Sequence, residues 1–350
     1  MIYIRTQASE KQGFGHLSRC LKLAAALRDS GEDAVFLCPA GDRPAQELIR
    51  QSGLAHVAIS DGKSYVDEVS DYPDTCRQVL ADLSDADNVA GPNAVHAYVA
   101  TLRAKGIKVF YIDGAFEDAV FKPDSACLPD VLIQPYVGVA AFDRPGTKHI
   151  AGGAFAILPA AYQNSPTRKI AGTAQRILVS FGGSDPQGLT QTVMQALAER
   201  PMDDQFRLMI GPYFSETHRT AIRDLAQKYP GQFDLREGVT DMIPHYRWAD
   251  LVVTSSGLSR YESVACGAPT LFCALYPAHV APSEAFVQAG IGRYIGLCDT
   301  LNGADWSREI EALAGDQAER RALSRTGQKA IDGKGMDRLL EALKKELVPG

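Results

Sequence analysis

Residues 176–188 read Arg-Ile-Leu-Val-Ser-Phe-Gly-Gly-Ser-Asp-Pro-Gln-Gly. A continuous apolar run ends at two glycines and a Ser-Asp pair, and helical spacing follows over Gly188–Glu199. An unbroken apolar run of this length reads as a strand covered on both faces, as in parallel sheets. Strand, glycine turn, helix is therefore the unit, and the chain repeats it. Downstream, Phe206–Ile210 is a strand, Leu251-Val252-Val253 leads through a Ser-Ser-Gly turn into a helix, and Thr270–Ala274 is a strand. Upstream, Ile2-Tyr3-Ile4 precedes a Gly-Phe-Gly turn and a helix marked by Leu17, Leu21, Leu23, Ala24 and Leu27, closed at Gly31. Strands at Ala34–Leu37, Ala55–Ile59, Gln78–Ala81 and Lys108–Ile112 follow, with helices around Pro44–Gln51 and Pro92–Lys105. Such alternation predicts an α/β protein with two doubly wound Rossmann-like domains facing a cleft. The expected domains are 1–160 and 170–335, with a helical tail at 336–350. The stretch 114–170 is less regular and holds a short strand at Val131–Ile133 and the crossing between domains.

Composition narrows the function classes. The chain has 350 residues, long enough for two cores. A net charge of −6 gives no basic field for nucleic acid or an anionic membrane. No apolar stretch is long enough to span a membrane, and Arg5, Thr6 and Gln7 interrupt the first apolar segment as no signal peptide would. The seven cysteines are scattered without a CxxC pair, which points to buried thiols in a reducing cytoplasm and not to disulfides or zinc.

Candidate site residues fall at strand ends, where doubly wound sheets bind ligands. Gly13-Phe14-Gly15-His16 opens the first helix, with Arg19 one turn on. Its glycines allow a tight turn and close approach of a ligand, and the helix start suits an anion and a neutral histidine. His16 is then a general base, or it caps the turn. Arg19 binds an anion, or pairs with a carboxylate. The spacing lacks the third glycine of a dinucleotide fingerprint. Gly182, Gly183 and Ser184 can cradle phosphate with their N–H groups, or form a plain turn with Asp185 as helix cap. Ser256, Gly257 and Leu258, at the Ser-Ser-Gly turn that starts the next helix, can bind the nucleotide by facing its phosphate, and Glu262 can accept from two ribose hydroxyls or favour its own helix terminus. No cluster of ligands has metal spacing and no Asp-x-Asp motif occurs, so neither metal nor cofactor is expected.

Together QGFGHLSRCLKLA (12–24), SFGGSD (180–185), and SSGLSRYE (255–262) followed by ACGAP (265–269) resemble the nucleotide-sugar hydrolase of the pseudaminic acid pathway and its spore-coat-polysaccharide relatives. More distantly they resemble the lipid-linked N-acetylglucosaminyltransferase of peptidoglycan synthesis. The resemblance extends over nearly the whole chain, including the crossing Gly153–Tyr162. It implies the two-domain GT-B fold, with the nucleotide on the C-terminal domain and the catalytic histidine, His16, on the N-terminal acceptor domain. It puts Gly182, Gly183 and Ser184 against phosphate and Glu262 on the ribose. The family's Asp-His-Tyr-Gly stretch reads Asp82-Leu83-Ser84-Asp85 here, its late Asn-Gln pair falls on His279-Val280, and its Asp-Asp reads Asp113-Gly114. The nucleotide half is thus kept while the water- and sugar-handling positions differ. The expectation is an inverting glycosyltransferase of bacterial surface or flagellin-type glycans, with His16, Asp82 and Asp113 as the catalytic group. Asp82 and Asp113 line the acceptor side or form caps and turns, and Gly13, Gly15, Arg19 and His279 contact sugar, acceptor or phosphate. The alternatives are a UDP-2,4-diacetamido-2,4,6-trideoxyhexose hydrolase and a silent nucleotide-sugar-binding protein. The partner is a UDP- or CMP-linked sugar, with a glycan or protein as acceptor.

Overall fold

The computed structural model describes residues 1–6, 15–83, 93–198 and 204–348. It divides into two compact units, Met1–Ile157 with Gly335–Gly350, and Leu158–Lys334.

The first unit holds a seven-stranded parallel sheet. Its strands are β1 (Ile2–Thr6), β2 (Ala34–Pro39), β3 (Ala55–Ile59), β4 (Gln78–Asp82), β5 (Lys108–Ile112), β6 (Val131–Gln134) and β7 (Lys148–Ala151). Their order is β3-β2-β1-β4-β5-β6-β7. Every residue of β1 is buried, because helices cover both faces. Ile2 and Ile4 enter one core with Leu17, Leu23 and Leu27 of the helix Gly15–Asp29, whereas Tyr3 enters the core on the opposite face. The terminal helix Gly335–Lys344 returns to this unit and places Met336, Leu339 and Leu343 in the core shared with Gly15–Asp29.

The second unit holds a six-stranded parallel sheet of β8 (Arg176–Ser180), β9 (Gln205–Ile210), β10 (Phe233–Glu237), β11 (Leu251–Ser255), β12 (Thr270–Ala274) and β13 (Arg293–Leu297). Their order is β10-β9-β8-β11-β12-β13. Ile177 and Val179 pack with Val193, Leu208, Val253 and Trp306 on one face.

In each sheet the strand order reverses once, between β1 and β4 and between β8 and β11. Loops leaving the carboxyl ends of such a pair turn to opposite faces and open a crevice, the usual ligand position of doubly wound sheets. His16 and Arg19 lie at the first of these points, and Gly182–Ser184 with Ser256–Leu258 at the second.

Three strands escaped the sequence reading: β7, β10 and β13. All three are edge strands, and β10 and β13 contain no fully buried residue. All seven cysteines are free thiols. Among the described residues no helix is long and apolar enough to cross a membrane. No group of three or more His, Cys, Asp or Glu side chains in that set is placed to hold a metal ion.

Candidate functional site

At the first reversal, His16 lies in the opening turn of the helix Gly15–Asp29 and Asp82 is the last residue of β4. Arg19, three residues after His16, shares its helix face. His16 Nδ1 stands 2.6 Å from Asp82 Oδ1. Arg19 grips the same carboxylate with Nε and Nη2. The Cys20 thiol donates to it at 3.4 Å. Burial would raise the Asp82 pKa, but the Arg19 guanidinium and His16 outweigh it and hold the group well below the usual carboxylate range.

An ionised Asp82 fixes the histidine tautomer. Nδ1 also lies 3.2 Å from Arg19 Nη2, but a guanidinium only donates, and the carboxylate is nearer. Nδ1 therefore carries the proton and donates to Asp82. The lone pair is left on Nε2, on a half-exposed side chain. The geometry is that of a histidine oriented by a buried carboxylate, with Nε2 free of that contact.

Arg19 Nη1 donates to the Tyr136 hydroxyl at 2.5 Å. Tyr136 follows β6, and no sequence motif marked it. With Asp82 and Tyr136 on its donors, Arg19 pairs with a carboxylate, the second of its two alternatives. Asp82 corrects the expectation that it lines an acceptor site: its side chain is fully buried and acts behind His16. Asp113 requires a stronger correction. It is 1% exposed, and its carboxylate accepts from the N–H groups of Gly114, Val120 and Phe121. It ties down the turn after β5, with burial pushing its pKa up to about 6 against those N–H bonds. Gly15 is exposed at the helix start. Gly13 and Ser84 lie outside the described residues.

At the second reversal, Gly182 and Gly183 are exposed and Ser184 is half-buried. Gly182 has φ +82°, which a glycine adopts without strain. The N-cap residue is Gly188, not Asp185 as in the plain reading, but the Asp185 side chain serves the same helix start. Its carboxylate accepts from Leu189 N at 2.9 Å and Thr190 N at 2.8 Å, filling the anion position of its own helix. The N–H groups of Gly183 and Ser184 have no internal partner among the described residues. The same holds for Gly257 and Leu258, where the helix Leu258–Ala265 starts without a side-chain cap. Ser256 Oγ lies 2.8 Å from His279 Nδ1, so these two residues of neighbouring strand ends meet. Arg260 of the same motif is structural: it is buried, with its guanidinium 4.2 Å from the Phe286 ring centroid. Gly211, after β9, was also unmarked in sequence. A Cβ there would come within 2.3 Å of Gly183 O, so the loop rests directly on it.

Glu262 is half-exposed on the helix Leu258–Ala265. Side chains on a helix lean toward its N-terminus, so the carboxylate is directed back toward Gly257. Tyr246 donates to Glu262 Oε2 at 3.1 Å.

No protein-family model matches the chain. Among curated proteins, it is 23% identical over 283 residues to an uncharacterized protein of Methanocaldococcus jannaschii, covering 77% of this chain and 54% of that one. It is 27% identical over 169 residues to the spore coat polysaccharide biosynthesis protein SpsG of Bacillus subtilis, with 48% and 50% covered. It is 29% identical over 163 residues to the UDP-N-acetylglucosamine–N-acetylmuramyl-(pentapeptide) pyrophosphoryl-undecaprenol N-acetylglucosamine transferase of Geobacter metallireducens, with 43% of each covered. The chain thus spans about half the length of the curated relatives it matches. Solved structures match over the whole chain. Acinetobacter baumannii MurG has a TM-score of 0.65 at 13% identity, covering 98% of this chain and 99% of that one. The fold is that of the GT-B glycosyltransferases. The spinosyn rhamnosyltransferase SpnG, complexed with thymidine diphosphate, gives 0.67 at 16% identity with 98% and 99% covered. Anabaena HepE, in complex with UDP-glucose, gives 0.59 at 14% identity with 99% and 100% covered.

Proposed function

We propose that this chain is an inverting, nucleotide-sugar-dependent glycosyltransferase of surface-polysaccharide synthesis, with His16 as general base. The observation that carries this reading is the 2.6 Å contact of His16 Nδ1 with an ionised Asp82, which leaves Nε2 as the proton acceptor. In the proposed step, Nε2 takes the proton of an acceptor hydroxyl as its oxygen bonds to the anomeric carbon. The bond from that carbon to the phosphate oxygen breaks, and the nucleotide leaves with the electron pair. Unpaired N–H groups at Gly183, Ser184, Gly257 and Leu258 would meet the negative charge of the leaving group, aided by the helix terminus. Glu262 would take the ribose hydroxyls. His279, through Ser256, stands beside the same helix start. Names of relatives support the substrate class: one belongs to spore coat polysaccharide synthesis, and HepE was solved with UDP-glucose.

The test is incubation with a panel of UDP- and CMP-sugars, with and without glycan and protein acceptors, reading nucleotide release and free sugar. Release that depends on an acceptor supports transfer. Free sugar without an acceptor assigns the chain to the hydrolases. No turnover of any nucleotide sugar overturns both readings and leaves a binding protein.

Two further results are expected. Turnover should be unchanged by EDTA, since N–H donors do the work that a divalent cation does elsewhere; loss restored by magnesium or manganese would overturn this. Gly211→Ala should force the Gly182-Gly183 loop to move, because its Cβ would meet backbone atoms at 2.3–2.6 Å. Overpacking of this kind costs about 1–3 kcal/mol. Weakened UDP affinity in titration checks it, and native affinity would show that phosphate does not use the loop.

A further inference from the structure

We propose that Tyr136 is a second substrate-contacting residue of the first unit, whose hydroxyl, held by Arg19, donates to an oxygen of an uncharged, polyhydroxylated acceptor standing at His16. The inference rests on the reading of His16 as general base and adds the chemical class of the molecule it deprotonates.

The position of Tyr136 is set by three neighbouring strand ends. Its N–H donates to Gln134 O at 2.8 Å, and Gly152 N, just beyond β7, donates to the same oxygen at 3.0 Å. The buried Gln134 side chain bridges the others. Its Nε2 donates to Gly114 O, beyond β5, at 3.0 Å, and its Oε1 lies 2.9 Å from His149 Nε2 on β7. Phe142 N donates to His149 Nδ1, so the histidine proton is on Nε2 and goes to Gln134. A braced backbone thus carries the phenol to Arg19.

The Tyr136 hydroxyl is half satisfied. It accepts from Arg19 Nη1 at 2.5 Å, and a guanidinium offers no acceptor, so its own proton must go elsewhere. Among the described residues none takes it. Other tyrosines of this unit differ: Tyr111 donates to Leu83 O at 2.5 Å and Tyr72 to Glu68 Oε1 at 2.9 Å. Burial raises the Tyr136 pKa against the opposing charge of Arg19, so the phenol keeps its proton. Accepting a charge-assisted bond polarises it into a stronger donor. Tyr136 is also only half-buried, where Tyr111 is wholly inside.

The charges at these strand ends are paired internally. Asp82 is paired with Arg19, and Arg5 of β1 with Glu68 at 2.7 and 2.9 Å. Asp113 is taken up by three backbone N–H groups. One guanidinium holds the two groups that remain: Arg19 Nη2 lies 3.2 Å from His16 Nδ1, and Nη1 holds Tyr136. Among the described residues, a ligand here therefore meets a lone pair on His16 Nε2 and the O–H of Tyr136, both uncharged. An alcohol among other oxygens matches that pair. One hydroxyl gives its proton to the imidazole, and a neighbouring oxygen accepts from the phenol. Water has no second oxygen, and an anion would meet only cations that already have carboxylates.

The experiment is steady-state kinetics of UDP release by the full chain. Donors are UDP-glucose and UDP-N-acetylglucosamine; acceptors are methyl glucoside, methyl N-acetylglucosaminide, their monodeoxy analogues and methyl glucuronide. For native protein one monodeoxy analogue should lose at least about threefold in kcat/KM, the worth of one hydrogen bond. Tyr136→Phe, which keeps the ring, should show the same loss with the parent glycoside through the acceptor KM, with the UDP-sugar KM within about twofold of native. That analogue should cost the variant almost nothing more, because enzyme and substrate have lost the same bond. Methyl glucuronide should be the poorer acceptor. A tyrosine that only braces Arg19 would lower kcat for every acceptor alike, and that result overturns the proposal, as do native kinetics in Tyr136→Phe. UDP release that no glycoside accelerates, or a preference for the glucuronide, also overturns it; both leave His16 as base. Absence of UDP release by native protein overturns that reading and this one with it.

Discussion

Asp82→Asn should cut nucleotide-sugar turnover by about 10²–10⁴ while leaving UDP affinity within a few-fold of native. The amide has one acceptor oxygen where the carboxylate serves His16, Arg19 and Cys20. Arg19, with two donors on the group, would hold that oxygen. The amide N–H₂ would then face His16 Nδ1, which must become the acceptor. Its proton moves to Nε2, and the nitrogen proposed to receive the acceptor proton no longer can. His16→Gln should match this loss. The double variant should be little worse than either alone, because the two residues act as a unit. Removing a carboxylate from beside a mostly buried guanidinium also costs stability. Melting temperature is therefore measured beside rate, and His16→Gln, which leaves the Arg19–Asp82 pair in place, carries the test if Asp82→Asn fails to fold. Rates within about threefold of native in a folded Asp82→Asn protein would remove the dyad from the mechanism.

What could be read in the sequence follows burial and chain proximity. β1, β8 and β11 are covered on both faces, so each carries three consecutive apolar residues, Ile2–Ile4, Ile177–Val179 and Leu251–Val253. β10 reads Phe-Asp-Leu-Arg-Glu and β13 reads Arg-Tyr-Ile-Gly-Leu, because an edge strand needs apolar cover only in part. The strand-end glycines and His16 were visible because their chemistry is local: a turn, then a helix start. Relations between distant strand ends were not. Asp82 and Asp113 look alike in sequence, each ending an N-domain strand. The fold makes one the partner of His16 and Arg19 and the other the anchor of three backbone N–H groups. Tyr136 carries no neighbouring motif, and only the adjacency of β5 and β6 to β4 brings its hydroxyl to Arg19. Tyr246 was missed for the same reason, since it lies on a different element from Glu262, to which it donates.

Leu339→Ala should lower the stability of the first unit by about 2–5 kcal/mol, although residue 339 lies near the end of the chain. Periodic leucines in the tail were legible as a helix, but not as part of the first core. Leu339 is 0% exposed and packs in one cluster with Met336, Leu343, Leu17, Leu23 and Leu27. The tail is pinned on three sides: Lys344 Nζ donates to Ser30 O, Val348 N to Gln78 Oε1, and Lys108 Nζ to Glu346 Oε2. Fixed supports limit collapse around a truncated side chain, so the cavity term adds to the lost burial. The helix Gly15–Asp29, whose Leu17, Leu23 and Leu27 share that cluster, loses packing with it. A domain of this size shifts its melting point by about 2–4 °C per kcal/mol, so the expected fall is roughly 5–15 °C. Each unit has its own core, so calorimetry of the variant should resolve two transitions where the units unfold separately. UDP should raise only the transition of Leu158–Lys334, since a ligand stabilises the unit it binds. A shift under about 1 °C, or a lowered transition that UDP restores, would show that the terminal helix does not carry the first unit.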